Sequence, residues 1–358
     1  AKPTPTPTQG PVSALWTNGQ QIPASYPNTA FGATGPLYQQ LPANPQLDPS
    51  SATVIGYYFA GNPDAEAGWI DQDATQAQYD YNFPVYTSTS SDPLVTIACT
   101  GGGSCVDGGA RIYLPALAKQ AGGSDHHLAV LQPNGIEYDF WEVSSNPPYA
   151  TGSTIAASGE AHLAQDGKGG VAPGFTIGGA TAGGIALSMG QIYTSELQAG
   201  VIKHALSVVF PCGTNAWVFP ATQITGTCAN GQGMPLGSRV WWAPTDAQTN
   251  ALPIPKAGKI ILIALHHYGA YFIDNGGGTV NINGQGGGTG LHLENQEPYW
   301  IYGNGKTPAL DYAASQLDWN HIVTASGVNR YLLVSDGALI NPLANMKLLA
   351  PCVTALTC

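Results

Sequence analysis

The sequence is poor in charged residues, which make up 9 % of its 358 positions against about 25 % in an average soluble domain. Bases are the scarcer sign, since 11 Lys and Arg stand against 22 Asp and Glu, for a formal net charge of −11. Nucleic-acid binding needs clustered Lys and Arg to neutralise phosphates, and the sequence has no such cluster. The same deficit argues against binding to an anionic membrane surface.

Long apolar runs are also lacking: none reaches the ~18–20 residues that span a bilayer. The Cys-x-x-Cys spacing of zinc and redox sites is absent too. The six cysteines instead form three short-range couples, which predict the disulfides Cys99–Cys105, Cys212–Cys228 and Cys352–Cys358. Disulfides require an oxidising compartment. Because the chain begins at Ala1 without a signal peptide, we expect a mature, secreted, extracellular protein.

The N-terminal residues Ala1–Pro11 alternate Pro and Thr. Proline blocks helices and strand ladders, so this segment is predicted to be an extended tether. The alternative is that it lies along a neighbouring molecule as an added strand, which would serve self-assembly. The remainder, 12–358, is predicted to form a single β-rich domain.

Gly, Thr, Ser, Asn and Gln replace the missing charges, which is typical of β-rich proteins with many turns. We expect a mainly β fold, either a β-sandwich or a jelly-roll-like arrangement, with two accessory helices. The helices are Glu196–Leu206, capped by Ser195, and Lys256–Tyr268, ended by Gly269. The glycine-rich Asn275–Gly290 is predicted to be a loop or tight turn. The expected strands lie at Thr53–Ala60, Leu94–Ala98, Arg111–Leu114, His127–Gln132, Ile136–Val143, Ser207–Phe210, Ala216–Phe219 and Ala270–Asp274.

The segment Asp125–Val143, DHHLAVLQPNGIEYDFWEV, carries the densest chemistry. Its central Pro-Asn-Gly predicts a hairpin turn. A two-residue loop pairs Leu131 with Tyr138 and His127 with Glu142, and a four-residue loop leaves the faces unchanged. In this register Asp125, His127 and Glu142 cluster at the open end of the hairpin.

Three interpretations of that cluster remain open. A carboxylate beside an imidazole suits a general base. An Asp-x-His pair on one strand face also suits a metal. The third interpretation is a satisfied polar group at a strand end.

The other hairpin face carries Glu137, Asp139 and Trp141. Carboxylates two residues apart on a strand are about 6.6 Å apart, within the range of inverting glycosidases. Trp141 could stack on a sugar ring. The structural alternative places Glu137 in solvent and Trp141 in the core, with Asp139 hydrogen-bonded to a neighbouring loop.

Five segments resemble, in order, motifs of a family of secreted bacterial proteins. They are LPANPQLDPSS at 41–51, the hairpin at 125–141, ELQAGVIKHAL at 196–206, MPLGSR at 234–239 and ALHHYGAYFIDN at 264–275. The resemblance spans roughly Leu41 to Gly276. It implies candidate positions and no activity; the positions are Asp125, His127, Asp139, Glu196, His204, Tyr268 and Asp274.

On a helix, Glu196, Gly200 and His204 would share one face and could line the same cleft as Asp125. A buried His204 bonded to a carbonyl is the structural alternative. Trp241, Trp242 and Trp300 could be sugar platforms, although aromatic clusters also serve as core packing.

These features favour a secreted carbohydrate-active enzyme, specifically a glycoside hydrolase that acts on a polysaccharide without a metal or cofactor. Asp139 and Glu196 are the predicted acid and base or nucleophile, with Asp125, His127 and His204 completing the site. Trp141, Trp241, Trp242 and Tyr268 are the predicted substrate contacts. One alternative is a polysaccharide lyase with His127 or Tyr268 as the base. The other is a non-enzymatic carbohydrate-binding or self-assembling structural protein.

Overall fold

The computed structural model describes residues 37–59, 69–71, 83–103, 105–122, 124–164, 180–224, 228, 232–275, 290–291, 321–323, 329–332 and 345–354. The predicted tether at 1–11, most of the glycine-rich 275–290, Trp300 and Cys358 lie outside these residues. The described helices are α1 Ser51–Phe59, α2 Thr194–Ala199, α3 Asp246–Asn250, α4 Lys256–His267 and α5 Pro351–Thr354. The strands are β1 Trp69–Asp71, β2 Val85–Thr87, β3 Leu94–Cys99, β4 Arg111–Tyr113, β5 Leu128–Leu131, β6 Ile136–Trp141, β7 Thr154–Ala157, β8 Gly159–Ala164, β9 Leu206–Phe210, β10 Arg239–Trp242, β11 Ala270–Asn275, β12 Gly290–Leu291, β13 His321–Val323, β14 Asn329–Leu332 and β15 Met346–Leu348.

The described strands form three sheets, each mixing parallel and antiparallel pairs. The largest has the order β13-β14-β1-β12-β9-β11-β10-β15, the second β2-β5-β6-β8 and the third β4-β3-β7. This pairing confirms a mainly β protein. It does not confirm a β-sandwich or jelly roll, because the strands are divided among three sheets that do not close. Five helices, where two were expected, accompany the described strands.

The four-stranded sheet separates two hydrophobic cores. Ala129 faces the larger core, together with helix α4 and the strands of the largest sheet. Leu128, Val130 and Phe140 face the smaller core, which the three-stranded sheet completes. The period-2 alternation of β5 and β6 therefore sends neighbouring side chains into different environments.

The hairpin register differs from the predicted one by one residue. Val130 pairs with Tyr138 and Ala129 with Asp139. The loop has three residues, 133–135, with Gly135 at φ 81° and Gln132 N donating to the Ile136 carbonyl at 2.7 Å. A turn that ends in a left-handed glycine gives this odd-length loop. A shift of one residue in the register exchanges the two faces of one strand relative to the other. The face of β5 in line with His127 is therefore shared with Glu137 and Asp139, not with Tyr138.

Two predicted elements change type or length. The described part of the strand predicted at Thr53–Ala60, residues 53–59, belongs to helix α1, because Val54, Ile55 and Tyr58 are buried at helical spacing. The helix predicted at Glu196–Leu206 ends at Gly200, which is left-handed with φ 74°.

The strand pair predicted at Ser207–Phe210 and Ala216–Phe219 does not form. β9 lies between β11 and β12, and Trp217 makes an isolated bridge to Leu236. Helix α4 and the following strand β11 are confirmed, with Gly269 left-handed at φ 69° between them.

Residues 180–193 form an irregular segment that ends at α2 and packs between the second sheet and the largest sheet. Gly190 has φ 71°, and a Cβ there would lie 2.4 Å from the Ser207 nitrogen. Its carbonyl accepts a hydrogen bond from that nitrogen at 2.8 Å. Only glycine permits so close an approach to β9.

Cysteine pairing follows the prediction where it is described. The bonds Cys99–Cys105 and Cys212–Cys228 are present. Cys352 is also disulfide-bonded. Within the described residues, no helix has the length and apolar character of a bilayer crossing.

Candidate functional site

The open end of the β5–β6 hairpin has an unusual backbone. His126 and Glu142 both have positive φ, 43° and 52°. Two hydrogen bonds hold them together: Glu142 N donates to the Asp125 carbonyl at 2.7 Å, and Val143 N to the His126 carbonyl at 3.3 Å. Left-handed backbone costs a non-glycine residue about 1–2 kcal/mol and is concentrated at functional sites. Asp125 and Glu142 are thus neighbours through their main chains.

The imidazole of His127 is buried behind this end of the hairpin. Its Nε2 donates to the Ala180 carbonyl at 2.7 Å, and the ring packs edge-on against Phe83. The other nitrogen, Nδ1, has no hydrogen-bond partner. Burial lowers the pKa of His127, and the Asp125 carboxylate opposes that effect only in part. His127 is therefore neutral at pH 7, with the proton on Nε2.

Asp274 lies on β11, where a bulge shifts the register between Phe272 and Asp274. Its Oδ1 accepts hydrogen bonds from Ala182 N and Asn275 N, both at 2.8 Å. Burial raises the pKa of Asp274 to about 7, the two N–H donors oppose the shift, and the nearby Asp125 charge adds to it. A carboxyl group with this pKa is partly protonated near neutrality.

The 180–193 segment connects the two features. Ala180 binds His127 through its carbonyl, and Ala182, two residues later, binds Asp274 through its N–H. Asp125, His127 and Asp274, three positions implied by the family resemblance, are thereby assembled from distant parts of the chain. Two carboxyl groups in different environments, one of them partly protonated, can act as acid and base.

Glu137 and Asp139 occupy a different place and are fully buried, at 0 % and 1 % exposure. Ser188 donates to Glu137 through its N–H at 3.1 Å and its hydroxyl at 2.6 Å, and Leu187 N donates to Asp139 Oδ2 at 2.9 Å. Burial and the adjacent Glu137 carboxylate raise the pKa of Asp139 well above its usual range. Through these hydrogen bonds the pair anchors the 180–193 segment to β6.

Glu196 and His204 also meet, although Gly200 ends the helix between them. His204 Nε2 lies 2.9 Å from Glu196 Oε1, and Nδ1 donates to the Ala205 carbonyl at 2.9 Å. Burial lowers the pKa of His204, but the Glu196 carboxylate and the Ala205 carbonyl outweigh it, so the net direction is upward. This ion pair is flanked by Tyr38 and Tyr193. Its contacts are separate from those of Asp139, the predicted catalytic partner of Glu196.

The predicted sugar platforms are mostly in the core. Trp242 is fully buried and donates to Thr249, while Trp241 donates to the His266 carbonyl. Tyr268 is 8 % exposed and accepts from Gln40. A ring without exposed surface offers no face to a sugar. Trp141 is half-buried and packs against the larger core.

Two features were missed by the sequence analysis. Trp217 is 51 % exposed, in the loop closed by the Cys212–Cys228 bond. Asp107, Glu160 and His162 form a group of potential metal ligands. The signal for this group is Glu-x-His in strand β8, the alternation that was recognised at Asp125–His127. It was overlooked because no strand was predicted at 154–164.

Comparison of the chain with protein-family models, with curated proteins and with solved structures found no match. The candidate site is therefore defined by its own geometry.

Proposed function

We propose that this chain is a secreted glycoside hydrolase that cleaves uncharged polysaccharides at the Asp125–Asp274 site. The observation that carries the proposal is the 180–193 segment, which holds His127 and Asp274 through residues only two positions apart. The catalytic pair differs from Asp139 and Glu196, the pair favoured by the sequence. Asp139 is buried against Leu187, whereas Asp125 and Asp274 are both partly exposed.

In this mechanism, protonated Asp274 donates its proton to the glycosidic oxygen as the bond to the anomeric carbon breaks. Ionised Asp125 either removes a proton from the attacking water or attacks the anomeric carbon itself. Neutral His127 positions the site: its Nε2–H fixes Ala180, and Ala182 in turn orients the Asp274 carboxyl. The products are two shorter glycans, one with a new reducing end.

The substrate class follows from charge and from one aromatic ring. A chain with a net charge of −11 and only 11 bases is poorly suited to bind polyuronates. Trp217 presents an exposed ring, and its loop is bound to the 180–193 segment because Thr222 N donates to the Gly183 carbonyl at 2.9 Å. We assign Trp217 the sugar-stacking role first expected of Trp241 and Trp242. The disulfides and the acidic composition support an extracellular location.

The test is release of reducing ends from soluble β-glucan, xylan, galactomannan and starch. Asp125→Asn and Asp274→Asn should each lower turnover by about 10²–10⁴-fold, because an amide cannot transfer the proton. Asp246→Asn is the matched control, since Asp246 is a partly exposed aspartate paired with His267. Its activity should equal that of the wild type.

Three results would contradict the proposal. The first is a wild type without activity on any of these glycans. The second is an Asp274→Asn variant as active as Asp246→Asn. The third is a product with an unsaturated sugar at its end, which would indicate a lyase.

A further inference from the structure

Strand β8 carries two potential metal ligands on one face. Glu160 pairs with Phe140 and His162 with Tyr138 in the β6–β8 register, so both side chains lie on the face opposite Glu137 and Asp139. An alternating Glu-x-His on a strand directs a carboxylate and an imidazole the same way. These side chains are separate from the Asp125–Asp274 site.

A third ligand comes from the loop after β3. The Cys99–Cys105 disulfide closes this loop, and Glu160 Oε2 accepts hydrogen bonds from Val106 N at 3.1 Å and Asp107 N at 2.9 Å. The Asp107 carboxylate contacts His162 Nδ1 through Oδ2. One potential ligand atom from each of Asp107, Glu160 and His162 lies within 4.8 Å of the other two.

The second oxygen of Glu160 is the independent sign of a ligand. Glu160 is fully buried, yet Oε1 has no hydrogen-bond donor. The Asp107 carboxyl is also within hydrogen-bond reach of Glu160, and it is another acceptor. Two carboxylates that face each other at a buried position need a cation or a proton between them.

We propose that Asp107, Glu160 and His162 bind a divalent transition-metal ion, with Zn²⁺ as the best fit. Zn²⁺ binds imidazole nitrogen and carboxylate oxygen at about 2.0–2.2 Å. Two ligand atoms of one ion are then at most about 4.4 Å apart. The three ligand atoms here lie within 4.8 Å of one another, so small side-chain movements would bring them to the ion. The imidazole favours Zn²⁺ over Mg²⁺ and Ca²⁺, which prefer oxygen ligands.

The site has room for a water molecule as a fourth ligand, because the side chains of His162 and Asp107 are 30 % and 24 % exposed. The bound ion replaces the direct contact between His162 Nδ1 and Asp107 Oδ2. It also ties the loop after β3 to strand β8, which the Glu160 hydrogen bonds already hold together. This role does not depend on the proposed hydrolase activity.

The test is titration of the untagged, chelator-treated full chain with Zn²⁺ by calorimetry, and with Co²⁺ by visible absorption. Binding to the wild type should saturate, and Asp107→Asn and His162→Gln should each weaken it by more than about 100-fold, since even partners that only orient metal ligands are worth 10–100-fold. His267→Gln is the matched control, because His267 forms a partly exposed pair with Asp246 at 2.9 Å. It should bind as the wild type does.

Saturable binding that is equal in all four proteins would overturn the proposal, because the ion would then sit elsewhere. Absence of saturable binding to the wild type would also overturn it and would favour a shared proton. Both readouts report binding, so they stand apart from the glycan assay. Circular dichroism of each variant before titration checks that weaker binding is not caused by unfolding.

Discussion

Two pairs of carboxyl groups in this protein differ in what surrounds them, although each pair includes a residue bonded to the 180–193 segment. Glu137 and Asp139 are buried and receive three hydrogen bonds from Leu187 and Ser188. Asp125 and Asp274 are partly exposed, and burial has moved the pKa of Asp274 only to about 7. The first pair has its partners within the fold, whereas the second has a proton to give and access to solvent. Residue type alone does not show whether a carboxyl group holds parts of the fold together or can donate a proton.

The largest effect on stability is expected at the buried pair, Glu137 and Asp139. Glu137→Ala should destabilise the protein by about 1–3 kcal/mol for each of the two Ser188 donors left without an acceptor. Denaturant unfolding followed by circular dichroism measures the loss. Glu142→Gln, at a half-buried glutamate on the same hairpin, is the control and should change stability by less than about 0.5 kcal/mol. Equal effects in the two variants would refute the anchoring role of Glu137.

The pH dependence of stability tests the second pair, Asp125 and Asp274, through the pKa of Asp274. The pKa of Asp274 is about 7 in the fold, against 3.8 for an aspartate in an unfolded chain. The folded protein therefore binds the proton more tightly. The resulting stabilisation is complete below pH 3.8 and is lost as the pH rises through about 7. It amounts to at most about 4 kcal/mol.

Unfolding free energies of the wild type and Asp274→Asn, measured from pH 4 to pH 8, isolate this effect. The wild-type advantage over the variant should shrink as the pH increases, since the amide does not titrate. Parallel profiles would show that Asp274 has the same pKa in the folded and unfolded chains.

The smallest expected effect concerns the strained backbone beside Asp125. Glu142→Gly should stabilise the protein by about 1 kcal/mol, because glycine adopts φ 52° without steric cost. Thermal unfolding measures the gain. If activity falls while stability rises, the backbone geometry at this position serves the site; a loss of stability would mean that the glutamate side chain outweighs the strain.

Much of the local structure could be predicted because its signals are local. Strands β5 and β6 follow from alternation around Pro-Asn-Gly, and helix α4 follows from an apolar run ended by Gly269. The hairpin register could not be predicted as easily, since it depends on whether Gly135 adds a third residue to the loop. That single residue decided which side chains of β5 lie beside Asp139.

Helix α1 shows the limit of propensity. Its sequence SATVIGYYF contains β-branched and aromatic residues that favour a strand. The buried residues Val54, Ile55 and Tyr58 pack into the larger core at helical spacing, and Ser51 Oγ accepts a hydrogen bond from Leu348 N across nearly the whole chain. Such distant contacts override local preference and are not visible in a window of nine residues.

The candidate site was predictable as a set of positions but not as an arrangement. The resemblance implied Asp125, His127 and Asp274 together with Asp139, Glu196 and His204, without separating the groups. The separation depends on the 180–193 segment, in which the sequence analysis assigned no site residue or element. Glu160 and His162 could have been found, because their alternating spacing is visible once a strand is assumed at 159–164.

The position of the 180–193 segment in the chain has a consequence for how the protein folds. Ala180 binds a residue 53 positions earlier, and Ala182 binds one 92 positions later. Contacts of such separation close large loops and form slowly. During synthesis, the hairpin at 125–143 can form early, but Asp274 emerges only after the segment that orients it. The proposed acid–base pair is therefore completed late, so the buried anchor at Glu137 and Asp139 can form before the candidate site is complete.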